Sequence, residues 1–177
     1  HLKTTRNGAT FNEYKKFIEQ NGDYPRINRI RYLAEEKIYL RNNSPTSVIN
    51  WFEKYPPLGG LGKIKLAEAY LEQKQTEKVR ELVKDGWITA SIRKNDLGYY
   101  RAKFKKFLES DDHIKRADYL AWERKYWDLK RMLKYLPKDQ RALYNARQIL
   151  MSNSYGVDNA IAKVPQYLKK DPGLEFD

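Results

Sequence analysis

Glu109 and Ser110 are adjacent in this 177-residue chain, and a carboxylate beside a hydroxyl could take part in acid–base catalysis. A glutamate serves as acid and then base in glycoside cleavage when an apolar pocket raises its pKa. Here Asp111 and Asp112 follow at once, and adjacent acids in a polar turn do not form such a pocket. We therefore interpret Ser110 as the cap of a helix, a role that serine favours. We predict no catalytic residue here.

Asp111-Asp112-His113 could supply half of a metal site, but the only other histidine is the terminal His1. Three successive residues on a helical turn point in different directions, so they do not converge on one ion. Carboxylates at a helix start are favoured by the helix dipole without any metal. A nucleophilic triad cannot be assembled from one internal histidine. We predict no metal and no cofactor.

The glycine-rich stretch 59–63 superficially suggests a phosphate-binding loop. Such a loop needs a glycine five residues before Gly62 and a Ser or Thr after Lys63. Those positions hold Pro57 and Ile64, and no predicted strand precedes them. We interpret the glycines as a flexible turn that lets a helix start beside a Pro-Pro break.

Helical periodicity surrounds these patterns almost everywhere. We predict about ten helices, at residues 11–18, 25–38, 45–55, 61–73, 76–83, 96–108, 110–122, 127–133, 143–150 and 157–164. Thr10 and Glu13 form a capping box before the first helix. Pro25 fits the first turn of the second helix, and Thr76 caps the fifth. Residues 87–92 have strand propensity, but we assign them to helix or loop because no second strand could pair with them.

Helix, short turn, helix is the pattern of an α-solenoid. Comparable helix pairs recur at roughly the 34-residue period of tetratricopeptide-like units. The best single match is Leu66–Val83, although the usual turn glycine, expected near Lys74, is missing. We predict an all-α superhelix or solenoid of degenerate tetratricopeptide-like hairpins over residues 10–177, continuing past the last residue. Residues 1–9 are predicted to be a poorly structured N-terminal segment.

Composition indicates a folded chain, with 41% hydrophobic and 33% charged residues. It contains no cysteine, which excludes disulfides and cysteine-ligated metals. No apolar run approaches the roughly 18 residues of a membrane span. No signal peptide is visible, and because the chain begins with His1 we expect a processed or cut product. The net charge of +12 either attracts a polyanion or reflects a solvated, lysine-rich surface.

Four tryptophans could stack on sugar rings or fill the spaces between helices: Trp51, Trp87, Trp122 and Trp127. We expect most of them in the core, because large aromatic side chains dominate helical cores. Aromatic residues interleaved with Lys and Arg also suit single-stranded nucleic acid. No recognisable nucleic-acid module is present, so we predict no specific nucleic-acid partner.

Several blocks together resemble one known family. They are Thr10-Phe-Asn-Glu13, Asn21-Gly-Asp-Tyr-Pro25, Val48-Ile-Asn-Trp-Phe52 with Pro56-Pro57-Leu58, Leu66-Ala-Glu-Ala69, Arg116-Ala-Asp118, Leu120, Trp122-Glu-Arg124, Arg141-Ala142 and Val164–Leu174. Each block alone is mostly helix-packing residues. Their order and spacing, from about Thr10 to Leu174, resemble the superhelical domain of soluble lytic murein transglycosylases.

The resemblance implies a ring- or horseshoe-shaped superhelix in the periplasm, followed by a lysozyme-like catalytic domain. In that family the catalytic domain cleaves the MurNAc-β-1,4-GlcNAc bond of peptidoglycan and forms 1,6-anhydro-MurNAc. The family's catalytic glutamate precedes a Gly-Leu-Met-Gln-type stretch, which does not follow Glu109. We therefore expect a non-catalytic scaffold segment whose partners are peptidoglycan glycan strands, reached through the parent enzyme, and the missing catalytic domain. The alternatives are a stand-alone helical-repeat adaptor for a protein partner and an architectural spacer that binds nothing.

Overall fold

The computed structural model of the chain describes residue 2, residues 8–153 and residues 155–176. In these residues all regular structure is helical, which confirms the all-α fold of helical hairpins. Eleven α-helices are present in them: α1 Phe11–Gln20, α2 Ile27–Glu35, α3 Pro45–Lys54, α4 Gly60–Glu72, α5 Val79–Thr89, α6 Lys94–Lys103, α7 Ser110–Trp122, α8 Tyr126–Met132, α9 Lys138–Met151, α10 Val157–Ala162 and α11 Gly173–Phe176. The chain divides into two compact units, residues 1–92 and 93–177.

The N-terminal segment predicted to be poorly structured includes residues 1 and 3–7, which lie outside the described residues. Two described members of the segment contact the first unit. The Leu2 carbonyl accepts a hydrogen bond of 2.9 Å from the Tyr14 hydroxyl, and Ala9 is buried. At these two points the segment is therefore part of the packed structure.

In the first unit, the predicted capping box opens α1. The Thr10 amide donates to the Glu13 carboxylate over 2.7 Å, and the Glu13 amide donates to the Thr10 hydroxyl over 3.3 Å. The second helix begins later than predicted, at Ile27, because Pro25 lies in a turn and Arg26 adopts a left-handed conformation with φ of 64°. Because that backbone conformation interrupts the helical dihedrals, Pro25 cannot belong to the first turn of α2.

The core of the first unit lies between α1, α2, α3 and one side of α4. It contains Phe11, Tyr14, Ile18, Ile30, Leu33, Ala34, Ile38, Val48, Ile49, Trp51, Phe52, Leu66 and Ala69. Phe11 and Trp51 meet edge to face, with ring centroids 5.3 Å apart. Ser44 caps α3, accepting a hydrogen bond of 3.2 Å from the Ser47 amide, and α3 ends ahead of the Pro-Pro pair as predicted.

Helices α4 and α5 form the closest hairpin of the first unit. A Cβ added at Gly60 would lie 2.6 Å from the Gly86 carbonyl oxygen, so the two backbones need glycine here. The predicted helix or loop over residues 87–92 is confirmed, since α5 runs to Thr89 and a loop follows. Thr76 does not cap α5: it lies in a 3-10 turn and makes no side-chain capping bond.

Two helices end in the same way, one in each unit. The residue after the cap of α4 is Lys74, with φ of 61°, and the Gln75 amide donates to the Tyr70 carbonyl over 2.9 Å. After α7, Arg124 has φ of 53° and the Lys125 amide donates over 2.9 Å to a carbonyl in the last turn. Both are Schellman ends, in which a basic residue occupies the left-handed position that glycine usually takes.

In the second unit, α7, α8 and α9 pack on one another, and α9 also contacts α10 and α11. Helix α6 ends at Lys103, earlier than predicted, while Phe104, Phe107 and Leu108 are buried in the connection to α7. The segment Asp171-Pro172-Gly173 leads into α11, which contacts α9.

Candidate functional site

The glycine-rich stretch at the start of α4 lies against the carboxyl group of Glu35. Glu35, the last residue of α2, accepts hydrogen bonds from the Leu58 amide at 2.6 Å and the Gly59 amide at 3.2 Å. A Cβ at Gly62 would lie 2.3 Å from a Glu35 carboxylate oxygen. The start of a helix attracts anions, and here the anion is internal. Gly62 is therefore needed for close packing, which corrects its interpretation as part of a flexible turn.

The pKa of the Glu35 carboxyl is shifted far from its ordinary value. Burial raises the pKa of its carboxyl to about 7, although the Leu58 and Gly59 amides and the nearby Arg31 act in the opposite direction. Only 3% of Glu35 is exposed, so no external substrate reaches this acid. Sequence reasoning missed Glu35. The available signal was only a glutamate at the end of an amphipathic helix, because the amides that bind it lie 23 and 24 residues further along the chain.

Glu109 and Ser110 take part in the start of α7. Glu109, rather than Ser110, is the N-cap, and Ser110 is the first helical residue, which corrects the predicted cap by one position. The Glu109 amide donates to the Asp112 carboxylate over 2.8 Å. Because Asp112 reaches back to the residue before the helix, it closes the first turn and shifts the cap to Glu109.

The three residues of the possible metal half-site have separate partners. Asp111 is exposed and pairs with Lys115 over 2.9 Å, whereas Asp112 binds the backbone at the helix start. His113 is buried near the Tyr135 ring, and burial, followed by the charge of Arg101, lowers its pKa. Across residues 8–153 and 155–176, no group of three or more His, Asp or Glu side chains is placed to hold a metal ion.

Part of the most recognisable block of the family resemblance lies in the interior of the second unit: Arg116, Ala117 and Leu120. Arg116 is buried, and burial lowers the pKa of its guanidinium to about 10, with Asp128 acting against that effect. It therefore stays charged at pH 7. Arg141 donates over 3.0 Å to each of the Leu133 and Leu136 carbonyls, which ties α9 to the end of the preceding helix.

Asp118 and Trp122 of the same block bind Arg147, a residue that sequence reasoning did not single out. The Arg147 side chain is fully buried, and its guanidinium donates to Asp118 over 3.0 Å. Tyr144 donates its hydroxyl to the same Asp118 oxygen over 3.1 Å, and the Trp122 ring lies 4.8 Å from the Arg147 guanidinium carbon. We call these four residues, together with Asp171, the Arg147 cluster. Burial and Asp118 raise the pKa of Tyr144.

The chain segment before α11 closes the Arg147 cluster. A carboxylate oxygen of Asp171 lies 3.7 Å from Arg147 and accepts a hydrogen bond of 2.9 Å from the Gly173 amide. A Cβ at Gly173 would lie 2.0 Å from the Arg147 guanidinium carbon. The guanidinium is thus covered by backbone and serves to hold helices together.

Exposed aromatic and basic side chains lie together at the turn from α7 to α8, residues 122–130, which we call the α7–α8 corner. Trp122 is 47% exposed and Trp127 is 63% exposed, whereas Trp51 and Trp87 are buried. The expectation that most of the tryptophans lie in the core is therefore wrong, because only two of the four are buried. Trp122 and Trp127 are at a helix end and a helix start, where the turn leaves one side of each ring uncovered.

Basic side chains accompany these rings. Arg124 and Lys125 are exposed in the turn, and neither makes an ion pair with any described residue. The Lys130 ammonium lies 5.3 Å from the Trp127 ring centroid, and Tyr126 meets that ring edge to face at 5.0 Å. Uncovered aromatic faces and cations on one short stretch can hold a flat, partly apolar and negatively charged ligand.

No known protein family, curated protein or solved structure matches this chain. None of the helices in the described residues is long and apolar enough to cross a membrane.

Proposed function

We propose that this chain is the non-catalytic superhelical scaffold of a periplasmic soluble lytic murein transglycosylase. The parent enzyme would cleave the MurNAc-β-1,4-GlcNAc bond and form 1,6-anhydro-MurNAc. The observation that carries the proposal is the structural role of the most recognisable residues of the resemblance, which are Arg116, Asp118, Trp122 and Arg141. Arg116 is itself a buried charge, Asp118 and Trp122 surround the buried Arg147, and Arg141 ties α9 to the preceding turn, which supports a structural role for this block.

The part of the scaffold that touches glycan is the α7–α8 corner. Peptidoglycan strands present flat pyranose rings and peptides that carry carboxylates. Trp127 offers a ring face to a sugar, while Arg124 and Lys125 offer positive charge to the carboxylates. The net charge of +12 adds a general attraction to the anionic wall.

No step of bond cleavage is assigned to this segment. The acid with the raised pKa, Glu35, is buried and held by backbone amides. Glu109 starts α7. The proposal therefore gives the segment a binding role, with the chemistry performed by the catalytic domain of the parent.

The test is co-sedimentation of the purified chain with isolated peptidoglycan sacculi. We expect binding that weakens strongly between low and high salt, and no release of 1,6-anhydro-muropeptides detectable by mass spectrometry. The double variant Trp127→Ala/Lys130→Gln should bind about tenfold more weakly, because it removes the most exposed ring of the corner and its neighbouring cation. Tyr155→Ala is the matched control, since it removes a fully exposed aromatic side chain outside the corner.

Three results would contradict the proposal. Release of anhydro-muropeptides by this chain would overturn the non-catalytic assignment. Equal loss of sacculus binding in both variants would show that the corner is not the contact. Absence of sacculus binding at every salt concentration would remove the glycan-guiding role and favour the protein adaptor or the spacer.

A further inference from the structure

A cavity of about 600 Å³ opens in the first unit where the α1–α2 turn enters α2. The described residues that line it are Tyr24, Pro25, Arg26, Arg29 and Ile30. Small-molecule sites in proteins generally have volumes of about 300–1,000 Å³, so the cavity is large enough for a short peptide or a sugar. It lies entirely outside the α7–α8 corner.

Two guanidinium groups on this cavity have no partner among the residues that the structure describes. The side chains of Arg26 and Arg29 make no hydrogen bond, ion pair or ring contact with the described residues, unlike Arg31, which donates to the Pro56 carbonyl. Arg26 and Arg29 both line the cavity, so both guanidinium groups are available to one ligand. No acidic residue stands in the first turn of α2 to neutralise them.

Beside the two arginines, the described lining offers ring and aliphatic carbon. Ile30 is buried in the core of the first unit, and the Tyr24 ring is fixed edge to face against Phe17, with centroids 5.2 Å apart. Arg26 and Arg29 are exposed, so their guanidinium groups are open to a carboxylate from solvent, with which they form charge-assisted hydrogen bonds. The planar fork of arginine matches the two oxygens of a carboxylate.

We propose that this cavity binds a carboxylate of the peptide stems of peptidoglycan through Arg26 and Arg29. The inference rests on the proposed function for the identity of the peptide, and it adds a second contact that reads the stem rather than the sugar. A scaffold that holds both parts of a strand would fix the strand's orientation as well as its position.

The experiment titrates the full chain with the free tripeptide stem of peptidoglycan, followed by NMR chemical shifts of labelled protein. The variant Arg26→Gln/Arg29→Gln should bind the tripeptide at least about tenfold more weakly. The control Lys105→Gln/Lys106→Gln removes two exposed positive charges elsewhere and should change affinity by less than about twofold. A tripeptide with its carboxylates converted to amides should not bind the native chain, and free diaminopimelate should bind more weakly because it lacks the rest of the stem.

Sacculus co-sedimentation of the same variants separates this inference from the proposed function. If the native chain binds sacculi but shows no shifts with the tripeptide, the cavity assignment is wrong and the scaffold proposal stands. Tripeptide affinity that is equal in the native chain and in Arg26→Gln/Arg29→Gln would also overturn the assignment. Free diaminopimelate binding as tightly as the tripeptide would show that the site takes a free dicarboxylate instead of a stem. Binding to neither sacculi nor tripeptide would refute both proposals.

Discussion

Removing the carboxylate of Asp118 tests whether the Arg147 cluster holds the second unit together. Asp118 accepts a charge-assisted hydrogen bond from Arg147, worth about 1.5–3 kcal/mol, and a second bond from the uncharged Tyr144 hydroxyl, worth about 1.5 kcal/mol. The Asp118 side chain is 43% exposed, so solvent screening places the sum toward its lower end. Asp171, 3.7 Å away, still offsets part of the Arg147 charge. We expect Asp118→Ala to lower the free energy of unfolding by about 2–3 kcal/mol.

The control for this variant is Asp111→Ala on the same helix. Asp111 also pairs with a cation, but both partners are exposed, at 67% for Asp111 and 56% for Lys115. Exposed pairs contribute about 0.5 kcal/mol, and the lost carboxylate at the start of α7 adds a similar amount. The expected cost is therefore at most about 1 kcal/mol.

Urea unfolding at pH 7, followed by circular dichroism, measures both variants. A double-mutant cycle with Tyr144→Phe would report a coupling energy, because Tyr144 and Arg147 share one oxygen of Asp118. The reasoning is refuted if Asp118→Ala and Asp111→Ala cost the same, since burial of the cation is the difference between the two pairs.

Three further predictions concern the backbone and one buried acid. Gly60→Ala should lower the free energy of unfolding by about 3 kcal/mol or more, measured in urea, because the added Cβ would meet backbone atoms at 2.6 Å. Its control is Gly98→Ala, which has open space around it and should stabilise α6 by about 1 kcal/mol. Lys74→Gly and Arg124→Gly should each raise the free energy of unfolding by about 0.5–1 kcal/mol, since both positions are left-handed; a loss of stability would contradict the Schellman assignment. Folded Glu35 keeps its proton up to about pH 7, while the unfolded chain releases it near 4.5, so stability should fall as pH rises through that window. Glu35→Gln should flatten that slope relative to the native chain; an unchanged slope would refute it.

Helix positions could be predicted because apolar periodicity, caps and prolines act locally. The Thr10–Glu13 capping box and the Ser44-Pro45 start were both predicted and are present. Two of the errors fall at helix starts, where neighbouring residues compete for the cap. Asp112 moves the cap of α7 to Glu109, and the left-handed Arg26 delays α2. These outcomes depend on backbone geometry that a residue's type does not reveal.

The turn between the helices of the predicted hairpin keeps its left-handed backbone although lysine replaces the usual glycine. A tetratricopeptide-like hairpin predicts glycine near Lys74, and the backbone there does adopt the conformation that glycine prefers. The Schellman hydrogen bonds compensate for the left-handed strain of lysine. Absence of glycine from the sequence therefore weakened the predicted repeat without removing its turn.

The buried charged residues could not be predicted from periodicity. Arg147 lies between hydrophobic positions of α9, and its partners Asp118 and Asp171 are distant in sequence. Glu35 likewise depends on amides that come from a later turn. Hydrophobic patterns identify which side of a helix is inside, but they do not say which polar residue on that side finds a partner.

Three side chains with shifted pKa values are separated by burial from any external ligand. Glu35, His113 and Arg116 are at most 7% exposed. Two exposed groups also have shifted pKa values, and each is held by a hydrogen bond within the chain: Glu13 by Thr10, and Tyr167 by Asp139. Catalysis on a polymer needs an acid or base at an accessible surface, because the reacting bond must reach it. Exposed aromatic rings and cations can bind a ligand without proton transfer, so mutational tests of the proposed binding role belong at the α7–α8 corner and the Arg26–Arg29 cavity.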